Sequence, residues 1–214
     1  MKNNGKTISD YLMQINAIKL EPAKPFTWAS GWKSPIYCDN RKTLSYPDIR
    51  EFITNEFVRI INEKFPMTQV VAGVATGAIA QGALVASKLK LPFVYVRSNP
   101  KQHGLENLIE GVTHPGEKVV VVEDLISTGG SSLKAVEALR KAGLEVEGMV
   151  AIFTYGFPVA EENFKRAKCT LYTLGDYTVL IESALEKGYI HKEDIQTLRK
   201  WRENPGEWGG QDTR

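Results

Sequence analysis

From Pro47 onward the apolar positions alternate between helical spacing and short unbroken runs, a pattern that predicts an α/β fold with a mostly parallel sheet and helices on both faces. Ile49, Phe52, Ile53, Phe57, Ile60 and Ile61 recur at helical spacing behind Ser45 and Pro47, which places a core helix at that proline. Strands are predicted at Val70–Val74, Phe93–Val96 and in the run that opens at Val119, with a helix over Ala78–Leu89 between the first two. Leu133, Val136, Leu139 and Ala142 mark the next helix. Val146–Tyr155 and Thr170–Thr173 continue the strands, and Val179–Leu185 and Ile195–Trp201 are two closing helices. Ahead of this core, Ile8, Leu12, Ile15 and Ile18 share one face of a first helix, about Ile8–Ile18.

One junction in this frame carries more chemistry than the rest. Val119 to Val122 are four consecutive valines, suited to a strand covered on both faces, and the strand is expected to end at the acid pair Glu123 and Asp124. Leu125, Ile126, Ser127, Thr128, Gly129, Gly130 and Ser131 then lead into a helix expected from about Ser132. Loops at the carboxyl ends of parallel strands are where open α/β sheets bind ligands. Gly129 and Gly130 let backbone N–H groups close around an anion, Ser127, Thr128 and Ser131 add hydroxyl donors, and a phosphate monoester fits. The two acids would repel a phosphate held against them. They belong one sugar-length away, accepting hydrogen bonds from ribose hydroxyls or lying near a cation. A plain capped turn is the competing reading, but valines, acids, hydroxyls and glycines in this order form a compound signal. No Lys follows the glycines and the G-x-G-x-x-G spacing is absent, which excludes a Walker A loop and a dinucleotide fingerprint.

Composition narrows the partners. The chain has 214 residues, 43% hydrophobic and 24% charged, with a net charge of +2, so it is long enough for one full core and asks for neither nucleic acid nor an anionic membrane surface. Met1 to Lys6 is polar and no apolar run reaches a spanning length, so a cytoplasmic protein is expected. Cys38 and Cys169 are too few and too far apart for a disulfide framework or a zinc cluster.

Three further stretches bear on the same sheet edge. Arg97 follows the strand Phe93–Val96 and opens a long stretch to Lys118 with no convincing period, the kind of loop that serves as a lid. On it, Arg97 and Lys101 suit a diphosphate, and His103 is placed to donate or relay a proton near neutral pH. Gly73-Val74-Ala75-Thr76-Gly77-Ala78 is a second strand-turn-helix junction whose small residues leave the backbone open to an anion, or serve only to pack a tight turn. Between Pro25 and Arg41, Trp28, Trp32 and Tyr37 offer flat surfaces for a planar base, and Ser30, Lys33 or Arg41 would meet a carboxylate; a hood packed over the core is the plain alternative.

The Glu123 to Ser131 junction resembles the diphosphoribosyl-binding signature of type I phosphoribosyltransferases. The stretch Phe26-Thr27-x-x-Ser30-Gly31-x-Lys33-Ser34-Pro35-x-Tyr37 closely resembles the amino-terminal motif of the orotate phosphoribosyltransferases within that group, and Arg97-x-x-x-Lys101-x-His103-Gly104 matches their loop. The resemblance covers about Ile8 to Tyr155, three motifs in order. It implies a type I phosphoribosyltransferase fold, a twisted, mostly parallel sheet flanked by helices with a small N-terminal hood. The expected organisation is a single domain over 1–214: hood to about residue 45, core over about 46–201, mobile tail over 202–214. The implied activity transfers the phosphoribosyl group of phosphoribosyl diphosphate to orotate, with magnesium (Mg2+) required but not caged by protein ligands. Catalysis is then expected of Lys101 and His103; donor binding of those two with Arg97, Glu123, Asp124, Leu125, Ile126, Ser127, Thr128, Gly129, Gly130 and Ser131; and orotate binding of Ser127 and Tyr37. In this family the loop often reaches the neighbouring subunit's site, which implies a homodimer with shared sites. Ala29 and Ser98 stand where many members carry basic residues, and Phe153-Thr154-Tyr155-Gly156 stands where some carry an arginine, so those contacts are not carried over. A purine-type enzyme would share Glu123 to Ser131 but not the N-terminal motif. A donor-sensing regulator ranks lower, since the charge is nearly neutral and little chain precedes Thr7 for a DNA-binding domain.

Overall fold

A computed structural model describes residues 2–28, 30–98 and 108–208. The chain opens with α1 (Lys2–Gln14), lays down four short strands, β1 (Ile18–Leu20), β2 (Phe26–Thr27), β3 (Lys33–Ser34) and β4 (Ile36–Cys38), and makes a 3-10 turn over Asn40–Ser45 before α2 (Pro47–Lys64). Then come β5 (Val70–Val74), α3 (Ile79–Leu89), β6 (Phe93–Val96), β7 (Ile109–Glu110), β8 (Lys118–Ile126), α4 (Gly130–Lys141) and β9 (Glu145–Thr154). The chain closes with α5 (Pro158–Arg166), β10 (Leu171–Asp176), α6 (Tyr177–Glu186) and α7 (Asp194–Glu203).

Six strands form the central sheet in the order β10-β9-β8-β5-β6-β7. All neighbours run parallel except β7, which returns antiparallel to β6 through Tyr95↔Glu110 and Val96↔Ile109. The unbroken valine runs are explained by position: β8 lies between β9 and β5, Val119 to Val122 have no exposed surface, and all residues of β5 are buried. Both faces of these strands meet apolar side chains, so an alternating pattern would have left polar groups without water. Helices flank the sheet, with α4 against β9 and α5, α2 against α3, and α1 against β10 and α6. Among the described residues no helix is long and apolar enough to cross a membrane.

The N-terminal hood is two small antiparallel ladders, β1 with β4 and β2 with β3. The first expected helix is displaced: α1 starts at Lys2 and ends at Gln14, and Ile18 belongs to β1 opposite Cys38. Asn16 adopts a positive φ of 54, which ends the helical path, while Ile15 and Ile18 stay buried and so keep the apolar spacing that made the helix look longer. Three other expectations shift. β8 runs past the acids to Ile126, α4 starts at Gly130 rather than near Ser132, and the stretch from Arg97 to Lys118 contains β7. α5 was not anticipated: Ala160 and Phe164 are its only buried residues, too sparse a stripe to announce a helix. The tail expected from residue 202 begins inside α7, Pro205 is buried and Trp208 packs against the core; residues 209–214 lie outside the described residues.

Candidate active site

Because β8 continues through the acid pair, strand alternation sends Glu123 and Asp124 to opposite faces. Glu123 is 5% exposed, and its carboxylate accepts from the Asp124 N–H at 2.9 Å and from Ser132 Oγ, in the first turn of α4, at 2.8 Å. Burial pushes its carboxyl well above the usual carboxylate range, and the neighbouring Asp124 charge adds to the shift. Glu123, expected with Asp124 to meet ribose hydroxyls or lie near a cation, is buried here and ties the strand end to α4. Asp124 keeps the open position. Its carboxylate lies against Gly77 in the turn after β5, where any Cβ would collide with it. Its carbonyl accepts from Asn40 Nδ2 at 2.6 Å, which fastens the hood to β8.

The turn that follows is held from behind. Gly129 has φ +79 and is buried, and a Cβ there would come within 2.8 Å of the Phe164 ring, so glycine is needed both for the backbone and for the space. Asn163 donates to the Thr128 carbonyl at 3.0 Å, and Gly129 O accepts from Leu133 N at 2.9 Å to start α4. Phe164 and Asn163 both come from α5, so the helix missing from the sequence pattern braces the loop that the pattern marked best. Ile126 is fully buried, with its carbonyl taken by the Tyr155 N–H at 3.1 Å, and Leu125 packs half-buried against the core. Those two support the loop rather than present side chains to a ligand. Ser127 and Thr128 are half-buried, and Gly130 and Ser131 are exposed at the helix start.

A cavity of about 560 Å3 opens beside this helix start, lined by Ala75 from the β5 turn, Arg97 and Ser98 from the end of β6, Ser131 and Lys134. Arg97 is tied to the hairpin: its N–H donates to the Leu108 carbonyl at 2.8 Å and its guanidinium is 3.4 Å from Glu110. The structure thus brings Arg97, Ser131 and the β5 turn, in which the Ala75–Thr76 peptide is cis, to one wall. Lys101 and His103 lie outside the described residues. A second cavity of about 530 Å3 opens at the exit of β9, lined by Tyr155, Gly156, Lys6 and Arg202 together with Glu161, Asp176, Glu182 and Glu186.

On the hood, Tyr37 is 38% exposed and its ring lies 5.7 Å from that of Phe26. The other carboxylate candidates have partners: Arg41 pairs with Asp39 at 2.7 Å, holding that carboxyl below its usual range, and Lys33 donates to Thr27 Oγ1 at 2.8 Å. Ser30 accepts from the Trp32 N–H at 3.4 Å. Between hood and core, burial raises the Cys38 thiol and the Tyr155 hydroxyl well above their usual ranges, with Asp124 adding to both. Both stay neutral at neutral pH.

Residues 42–170 match the phosphoribosyl transferase domain family. Over 208 residues, 97% of this chain and 98% of the relative, the sequence is 65% identical to an orotate phosphoribosyltransferase of Bacteroides thetaiotaomicron. The chain belongs to the orotate phosphoribosyltransferases. Among solved structures, that of the Aeropyrum pernix orotate phosphoribosyltransferase superposes with a TM-score of 0.75 at 27% identity, covering 86% of this chain and 99% of that one. The Mycobacterium tuberculosis orotate phosphoribosyltransferase, solved in complex with 5-phospho-α-D-ribosyl 1-diphosphate, shares the fold with a TM-score of 0.64 at 21% identity, covering 83% of this chain and 98% of that one.

Seen as a member of the orotate phosphoribosyltransferases, the chain holds residues that sequence reasoning passed over. Asn40 is 1% exposed and links hood to β8; its only signal was its place three residues beyond Tyr37, where the hood motif ends. Arg202 lies over Gly156 at the exit of β9, with Nε 3.3 Å from the Gly156 carbonyl and Nη1 2.9 Å from Thr178 Oγ1. A guanidinium therefore stands at that strand exit, delivered from α7, which no reading of residues 153–156 could have found.

Proposed function

We propose that this protein is an orotate phosphoribosyltransferase in the full sense of the activity: it transfers the phosphoribosyl group of 5-phosphoribosyl 1-diphosphate to orotate, releasing diphosphate and orotidine 5-phosphate, in pyrimidine nucleotide synthesis. One observation carries the choice of base. The 65% identity runs over 97% of the chain and so includes the hood, most of which lies ahead of residues 42–170 and which is the part assigned to the acceptor.

The donor's 5-phosphate is assigned to the turn Ser127 to Ser131, with backbone N–H groups and hydroxyls as donors. Its ribose hydroxyls donate to Asp124, and its diphosphate lies toward the β5 turn and Arg97. Orotate is assigned to the gap between Tyr37 and Ser127. The bond from the anomeric carbon to diphosphate loosens first, so the sugar gains oxocarbenium character, and the work left to the chain is positioning and charge stabilisation. Lys101 and His103 take the charge that moves onto the leaving diphosphate. Closing the loop that carries them would exclude water, the competing nucleophile.

Among the described residues no group of three His, Cys, Asp or Glu side chains could hold a metal ion. The ion is taken to be magnesium, carried mainly on substrate oxygens, with Asp124 the protein carboxylate on the donor side. When bound, the ion would offset the negative charge of the leaving group. The working form is proposed to be a cytoplasmic homodimer with shared active sites.

The test is direct. Protein mixed with orotate, phosphoribosyl diphosphate and magnesium should consume orotate, followed by the loss of its absorbance, and form diphosphate in equal amount. No orotate loss at high enzyme concentration, with a purine base consumed instead, would overturn the assignment.

A further inference from the structure

Four aromatic rings run through the protein as a stack from the hood into the core. Trp32 and Trp28 are 6.5 Å apart at 20°, Trp28 and Tyr155 5.2 Å at 27°, and Tyr155 and Phe157 5.4 Å at 29°. Trp201 of α7 stands edge-on to three of them, at 5.8 Å from Trp28, 5.6 Å from Tyr155 and 5.2 Å from Phe157. These are favourable stacked and edge-to-face spacings.

The two middle rings of this stack are tied to the two segments assigned to the acceptor. Trp28 Nε1 donates to the Ile36 carbonyl at 3.2 Å, the residue before Tyr37. The Tyr155 N–H donates to the Ile126 carbonyl at 3.1 Å, the residue before Ser127. The Trp28 to Tyr155 contact therefore links the segment that carries Tyr37 to the segment that carries Ser127. β2 and β3 pair over only two residues each, so their hydrogen bonds alone hold the hood weakly. Trp201 supplies the missing backing. It is fully buried, yet its Nε1 has no hydrogen-bond partner among the described residues, a cost that a residue serving only to fill space would avoid. α7 is in turn bolted in place: Tyr177 OH donates to the Leu198 carbonyl at 3.1 Å, and Arg202 joins Gly156 to Thr178.

We infer that Trp201 is a positioning residue for the acceptor: bracing Trp28 against Tyr155, it sets how the hood's Tyr37 faces the planar base, and reaches the donor only through Ser127, at the edge of the phosphate turn. This rests on the orotate reading. It places control of base binding in a helix outside the matched family domain of residues 42–170.

The experiment compares Trp201→Leu, Trp201→Phe and Trp28→Leu with the wild type by steady-state kinetics, with circular dichroism melts as a check on folding. Trp201→Leu is expected to raise the KM for orotate about tenfold while that for phosphoribosyl diphosphate stays within about twofold, and Trp201→Phe, which keeps an edge-on ring, to recover most of the orotate affinity. A folded Trp201→Leu protein with unchanged orotate KM, or with equal rises for both substrates, would overturn the inference. Should Trp201→Leu fail to fold, the half-exposed Trp28→Leu must give the same acceptor-selective rise, and its absence is equally fatal. A wild-type protein inert toward orotate brings down the functional reading and this one together; an active wild type with unselective variants brings down this one alone.

Discussion

On the proposed donor side, one continuous stretch from Val119 to Ser132 supplies the strand, the acid assigned to the ribose, the turn assigned to the phosphate and the start of the helix behind it. On the proposed acceptor side, Tyr37 hangs from ladders of two or three residue pairs, and the hood that carries it packs through Trp28 on rings from positions 155 and 201. The contrast is between a site made by local sequence on a buried sheet and one made by long-range packing. Substitutions on the two sides should therefore fail differently: donor-side changes through turnover and donor affinity, acceptor-side changes through affinity for the base.

The largest expected effect is that of Lys101→Ala, which should lower turnover about 10²–10³-fold with little change in donor affinity, as expected for a group whose partner gains charge only in the transition state. Single-turnover rates beside equilibrium binding of the donor decide it; lost binding with unchanged turnover would remove the residue from its catalytic role. Next is Gly77→Val. Any Cβ at this site meets the Asp124 carboxylate, so the variant should raise the KM for phosphoribosyl diphosphate about tenfold and leave orotate affinity alone. If orotate suffers as much as the donor, the two halves are not separable. Gly129→Ala comes third, costing about 1–3 kcal/mol of stability from the positive φ and the Phe164 contact, read as a lower urea midpoint at unchanged slope.

The smallest effect belongs to pH. The Glu123 carboxyl is raised in the folded protein, so folding favours its protonated form, and its contribution to stability is full below the unfolded carboxyl pKa and lost as pH rises through the folded value. Glu123→Gln removes that dependence. The variant should be more stable than the wild type at pH 8, and the difference should close as pH falls toward the ordinary glutamate pKa of about 4.3. Parallel melting curves at all pH values would show that Glu123 is not the buried, proton-seeking group described here.

The same contrast explains what could be read in advance. The donor strand and turn were legible because signal and site coincide in one run of residues. What failed there was a boundary: the strand was expected to stop at the acids, and only its continuation to Ile126 reveals that Glu123 and Asp124 face apart. The hood was legible as a motif and invisible as structure, since strands of two or three residues have no period to detect. The support shell was legible in neither sense. Asn163 and Phe164 brace the phosphate turn from a helix with a sparse apolar stripe, and Arg202 reaches Gly156 from 46 residues away, a pairing that only the folded chain creates.

The bond from Asn40 to the Asp124 carbonyl has a consequence for re-engineering the protein toward other bases. A hood grafted from a relative would bring its own aromatic face, but without an amide at position 40 it would lose the hydrogen bond that indexes that face against β8. The transplant would need residues 18–40 as one cassette, with a matching C-terminal helix as its second piece. On the proposed reading base preference is a two-part module, latched to its chassis by one side-chain amide and by the packing of Trp28 on Tyr155 and Trp201.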